Sequence, residues 1–150
     1  MGKRGQVNSP EGINQYSKGS ARRSAIGLPG VVYHGSPVRG LKRLVPQDSP
    51  RNPLGRAAIF ATGSMSQAYG YAKKGGQVYP VHMNLRNPLD TTKLIKAGQR
   101  KGLSFGDAKR SAWSKVTAQH DGVVFRGNGA NPPEFAAFGK FKVRILKGLK

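Results

Sequence analysis

The chain has 150 residues, with 26 Lys and Arg against 6 Asp and Glu, no Cys and a formal charge of +20. That length holds one domain with room for a tail. The missing Cys excludes a disulfide framework or a thiolate metal site, and no apolar run is long enough for a membrane-spanning helix.

Residues 1–29 are rich in Gly, Ser, Asn, Lys and Arg. They read as a flexible basic arm carrying Lys3, Arg4, Lys18, Arg22 and Arg23. The arm lacks the apolar stretch of a secretory signal, so a cytoplasmic location is expected, in the producing or a target cell. Gly27-Leu28-Pro29-Gly30 marks the boundary, and residues 30–150 are expected to fold. Residues 31–34 read as a strand ending at Gly35. Residues 36–55, rich in Pro, Arg and Gly, read as a long loop wrapping a site. Residues 57–61 form a second short strand, and Ser64 then caps a helix running to about Lys73. Residues 77–85 alternate, with Tyr79, Val81, Met83 and Leu85 on one face and Val78, Pro80, His82 and Asn84 on the other. Pro80 suggests an edge strand or a bulge. Residues 92–98 read as a short helix.

Residues 104–119 give the clearest helix: Ser104-x-x-Asp107 resembles a capping box, and Phe105, Ala108, Ala112 and Val116 recur at helical spacing. Asp121-Gly122 turns into a strand over 123–125, and 134–138 and 141–146 are the last strands. Strands outnumber helices and the helices cluster mid-chain, which makes the class α+β.

Three segments carry chemistry. Glu134 is one of only two glutamates, with Glu11, and it opens a strand-like run that reads as half-buried. Glu is a poor strand former, and a desolvated carboxylate costs several kcal/mol unless paired. The plain reading is an edge-strand Glu paired with one of the many cations. His34, at a strand end beside Gly35, can donate and accept hydrogen bonds, and the glycine admits a ligand close to the backbone. An ordinary strand-terminal His beside a turn is the alternative. Phe60, on a strand, and Tyr71, on the following helix, can face each other as plates for a planar ring, or both can be core.

In this order, Tyr33-His34-Gly35-Ser36, Phe60…Tyr71 and Pro133-Glu134-Phe135 resemble the ADP-ribosyltransferase superfamily. The similarity is to its His-Tyr-Glu branch of poly(ADP-ribose) polymerases and diphtheria toxin-like enzymes, and more closely to small bacterial and phage-encoded domains. It runs from about residue 33 to 146 and takes in Val78-Tyr79-Pro80-Val81-His82-Met83-Asn84-Leu85-Arg86-Asn87-Pro88-Leu89 and Asp121-Gly122-Val123-Val124-Phe125. The resemblance implies a split β-sandwich with a few short helices and an NAD cleft. By position it implies that His34 bonds the ribose hydroxyls of NAD, that the Gly35 backbone holds the carboxamide with Ser36 assisting, and that Phe60 and Tyr71 sandwich the nicotinamide. Phe60 stands where the branch usually has Tyr. Glu134 falls on the catalytic glutamate. There a fixed carboxylate would stabilise the cationic ribose as the nicotinamide bond breaks, and would help deprotonate the acceptor. Arg56 and Arg39 are candidates for the NAD pyrophosphate. No metal is implied.

Pro132 stands where arginine-modifying relatives carry a second Glu or Gln, which argues against an arginine acceptor. The chain has little room for polymer elongation, so a single transfer per acceptor is expected. The charge favours RNA or DNA as acceptor over a host protein. A toxin or phage effector role is implied by the resemblance, with an acidic immunity or inhibitor protein as a further partner. Self-repulsion favours a monomer, and no membrane partner is expected. The alternatives are a non-enzymatic basic nucleic-acid-binding protein and a nuclease using His34, His82 or His120, three histidines with no shared motif.

Overall fold

The structure, a computed structural model, describes residues 28–48, 52–139 and 142–147. The basic arm lies outside the described residues except for Leu28 and Pro29, and Leu28 is buried in the core.

Seven strands and three helices are present among the described residues: β1 Val32–Ser36, β2 Ile59–Thr62, α1 Met65–Ala72, β3 Gln77–Met83, β4 Leu89–Asp90, α2 Thr92–Arg100, α3 Phe105–Trp113, β5 Gly122–Phe125, β6 Glu134–Ala137 and β7 Val143–Ile145. The class is α+β, as expected. The strands run in the order β4-β5-β6-β2-β1-β3-β7, antiparallel throughout except for the β4–β5 pair. The sheet is continuous, yet its two halves join through a single register pair, Tyr33 with Thr62. The split expected of the sandwich is therefore a parting of β1 from β2 within one sheet.

Alternation along the strands sorts the core onto two faces. Ile59, Ala61, Tyr79, Val81, Val124, Phe135 and Ala137 share one cluster with Val32, Met83 and Leu85. Val123, Phe125 and Ala136 face the other way, under Ile95 of α2 and Ala108, Ala112 and Trp113 of α3. Helix α1 covers Val31 and Tyr33 through Ala68. Gly35 makes that docking feasible, since a Cβ there would run into the Ala68 carbonyl.

Four expectations change. The helix expected over 104–119 ends at Trp113. Its start is as read, with the Ser104 hydroxyl accepting from the Asp107 N–H. At its end, Ser114 turns its hydroxyl onto the Ser111 carbonyl, and the Thr117 N–H donates to the His120 ring. Side chains thus take the backbone groups that a longer helix would pair. Pro80 lies in a strand paired on both sides, not at an edge. Its carbonyl accepts from the Leu146 N–H, so its missing N–H falls where the short edge strand β7 gives out. The strand of Glu134 is central and buried at all four positions rather than half-buried, because helices cover one face and the first cluster the other. The long loop before β2 is anchored by a bridge between Gln47 and Ala58 and by burial of Leu44 and Leu54.

Candidate active site

Beyond Tyr33 and Thr62 the strands β1 and β2 separate, and a cleft opens in the gap. On β1 the His34 side chain follows Tyr33. Its Nδ1 lies 2.6 Å from the Phe60 carbonyl oxygen of β2. A carbonyl can only accept, so Nδ1 carries the proton and Nε2 of the neutral ring is left as an acceptor. Burial lowers the His34 pKa below its ordinary 6.5, while the bond to Phe60 pulls the other way. The ring is neutral near pH 7.

Glu134 begins β6, in register with Thr62 on one side and Phe125 on the other. That register turns its carboxylate toward the helices, where it is 7 % exposed. Lys109 of α3 reaches it, with Nζ 2.7 Å from Oε1. The backbone just before Glu134 is tied down. The Pro133 carbonyl accepts from the Gly63 N–H at 2.9 Å and from the Thr62 hydroxyl at 3.1 Å. The Thr62 hydroxyl also contacts the Gln67 side chain of α1. A buried carboxylate on a backbone fixed in this way is a preorganised charge.

Aromatic rings wall the space. The Phe60 ring lies parallel to Trp113, 2° between planes and 6.3 Å between centroids. Tyr71 enters from α1, half-exposed. Burial raises its phenol pKa above the ordinary 10.0 and the Glu134 charge adds to the rise, so the hydroxyl keeps its proton and lies within the field of the carboxylate. The cavity of about 590 Å³ is lined by His34, Gly35, Phe60, Tyr71 and Glu134 together with Thr62, Lys109, Arg110, Trp113, Asn52 and others. That volume lies within the usual range of small-molecule sites.

Three residues assigned to NAD from the sequence stand elsewhere. Ser36 is buried at the end of β1, and its hydroxyl accepts from the Val38 N–H. Arg56 lies over the Phe138 ring at 4.0 Å and is not among the cavity lining. Arg39 donates to the Gly76 carbonyl, also away from the lining. His82 is buried on β3 with Nδ1 3.3 Å from the Gly30 oxygen, and His120 is bound to Thr117. Neither lines the cavity with His34.

Sequence reasoning passed over Lys109 and Trp113. A signal was present: Phe105, Lys109 and Trp113 recur every four residues and so share a helix face. The Lys109 ammonium indeed lies 5.8 Å from the Phe105 ring and 5.1 Å from that of Trp113.

The seven-stranded sheet with its three helices is that of an ADP-ribosyltransferase-like domain. A family model described as ADP-ribosyltransferase in polyvalent proteins matches residues 25–138, and the chain belongs to that family. Membership supports transfer of ADP-ribose as its activity in general. Among solved structures, one titled "Crystal structure of an anti-CRISPR protein" is similar at a TM-score of 0.40 and 12 % identity, over 77 % of this chain and 94 % of that one. No curated protein matches this sequence. Among the described residues no cluster of His, Asp and Glu is arranged to hold a metal ion, and no helix is long and apolar enough to cross a membrane.

Proposed function

We propose that the cleft binds NAD and that the protein is a mono-ADP-ribosyltransferase of His-Tyr-Glu type, acting on a macromolecular acceptor with nucleic acid favoured. The observation that carries this reading is the meeting of Glu134, His34, Phe60 and Tyr71 around one cavity. They come from three strands and a helix, and nothing in the packing of a plain binding protein requires a carboxylate there.

The residues suit the group. His34 Nε2, an acceptor, fits a ribose hydroxyl, and Phe60 and Tyr71 fit the faces of a planar ring. NAD supplies an activated ADP-ribosyl group whose bond from ribose C1′ to the nicotinamide nitrogen breaks as nicotinamide leaves with the electron pair. With NAD bound, Glu134 would hold negative charge beside the ribose 2′-hydroxyl and stabilise the cationic ribose. Its second oxygen would take the proton of the acceptor as the new bond to C1′ forms. Lys109 holds the first oxygen and fixes the carboxylate plane. The excess of cations across the surface suits phosphate, in NAD and in a nucleic-acid acceptor. An effector role, in the producing or a target cell, follows from the same reading.

The test is incubation of the protein with NAD labelled in the adenylate moiety and with separated RNA, DNA and protein fractions of a cell extract. Label is expected in RNA or DNA, removable by nuclease, and absent with Glu134→Gln. Label removed only by protease would reassign the acceptor. Absence of label and of nicotinamide release, or label indifferent to Glu134→Gln, would overturn the transferase reading.

A further inference from the structure

Helix α2 buries Ile95. It lays Gly98 against α3, where an added Cβ would stand 3.0 Å from that of Ala108. Gln99, on the same side, accepts from the Asn128 amide. At 100° per residue the opposite side carries Lys93, Lys96 and Arg100, with Lys101 following the last turn. All four are exposed.

Among the described residues none of them meets a carboxylate. Asp90 is paired with Arg126, Asp107 with Arg110, Asp121 with Lys142 and Glu134 with Lys109, while Asp48 accepts from Asn52. A solvated basic face on a helix is ordinary in itself. Here it spans about 10 Å of helix with no acid interspersed, and it lies in the same helical layer as α3. That helix brings Lys109 and Arg110 to the cleft.

We infer that the Lys93–Lys96–Arg100 face of α2 is a docking surface for the phosphodiester backbone of a nucleic acid, which it holds alongside the α3 rim of the cleft. Phosphate is the complement for several reasons. The face offers charge without aromatic rings or an apolar pocket, so it reads backbone and not bases. Three unpaired cations in a row gain from releasing counterions condensed on a polyanion, a gain that a single acidic side chain does not offer. Loss of the face lowers affinity for all sequences alike. That this nucleic acid is also the acceptor rests on the transferase reading; the docking itself does not.

The experiment measures binding by fluorescence anisotropy, without NAD, to a labelled oligouridylate and an oligothymidylate of about 20 nucleotides, at several salt concentrations between about 50 and 200 mM. The variant is Lys93→Gln, Lys96→Gln, Arg100→Gln. The control removes the same charge at Lys42→Gln, Arg43→Gln and Lys147→Gln, on segments whose Leu41, Leu44 and Ile145 pack into the cluster on the far face of the sheet. The α2 triple is expected to lose affinity about tenfold or more and to flatten the salt dependence by about two. The control is expected to lose at most about a third as much on a logarithmic scale.

Matching RNA and DNA results would show a common phosphate site, and a preference would assign the source. Equal loss in the two triples, no binding by the wild type, or equal binding of a labelled polyglutamate with the same loss on the α2 triple would each overturn the inference. Nicotinamide release without acceptor is expected to be unchanged in the α2 triple. Failure of the transferase reading would therefore show in that assay, and failure of the docking surface in the binding assay.

Discussion

Lys109 Nζ lies 2.7 Å from Glu134 Oε1, inside the cleft and against the Trp113 ring. The pair is asymmetric, with the carboxylate nearly buried and the lysine about a quarter exposed. Lys109 thus anchors a charge that the strand has already desolvated. Glu134 itself lines the cavity. Replacing Lys109 by Gln is expected to lower the rate of nicotinamide release between about tenfold and a hundredfold with little change in KM for NAD, through loss of carboxylate placement. Lys109→Arg should recover most of the rate. A purely structural lysine would instead show a fall in thermal midpoint with kcat unaltered.

Removing the carboxylate itself is a harsher change for chemistry than for folding. Glu134→Gln is expected to reduce turnover by at least about a hundredfold, roughly 3 kcal/mol of transition-state stabilisation. The fold persists, because the strand remains in register with Thr62 and Phe125. Circular dichroism and nicotinamide release measured on the same sample separate the two effects.

His34 gives the site a pH dependence of known sign. Its folded pKa lies below the ordinary 6.5 because burial disfavours the imidazolium. The unfolded chain therefore binds the proton first as pH drops. The stability gained from a neutral His34 is fully present above about pH 6.5. It declines below that value and is gone once pH has fallen through the lowered folded pKa. Urea midpoints of the wild type should fall over this window. Those of His34→Asn, which keeps a donor toward the Phe60 carbonyl and cannot titrate, should lose that step. Protonation also turns Nε2 from acceptor to donor, so KM for NAD should rise in the same range.

Gly35 is needed for the approach of helix and strand. A methyl group there meets the Ala68 carbonyl, which belongs to the backbone of α1 and cannot swing aside. Gly35→Ala is expected to destabilise the protein by about 1–3 kcal/mol. The early loss of amide protection should fall in Met65–Ala72. Unchanged protection of α1 would contradict the account.

Trp113 and Tyr71 both line the cleft and should respond differently. Trp113 is 2 % exposed and donates its indole N–H to the Thr91 hydroxyl. Trp113→Ala should cost about 3–5 kcal/mol of stability. Tyr71 is 53 % exposed. Tyr71→Ala should change stability by about 0.5 kcal/mol or less and raise KM for NAD. Chemical denaturation and steady-state kinetics check both.

Local patterns in the sequence locate most elements. Alternation over Tyr79, Val81 and Met83 marks the buried face of β3, and Ser64 and Ser104 cap helices where a side-chain oxygen meets a free N–H. The end of α3 is less legible. It depends on Ser114, Thr117 and His120 competing for backbone groups, which helical periodicity does not register. β4 escapes the sequence because a two-residue strand has no period, and its existence depends on pairing with β5.

The sequence by itself determined the class of fold, the resemblance that names the family, and four of the residues that line the cleft. Those properties follow from local chemistry: period, capping, turn residues, and the order of His34, Phe60, Tyr71 and Glu134 along the chain. Only the tertiary structure decided which cation stands beside Glu134, that Arg56 lies on Phe138 and not in the cleft, and that Trp113 lies parallel to Phe60. In a chain with so many cations, composition cannot choose a partner for one carboxylate. That choice rests on sheet register and helix packing, which bring together residues 25 positions apart at Lys109 and Glu134.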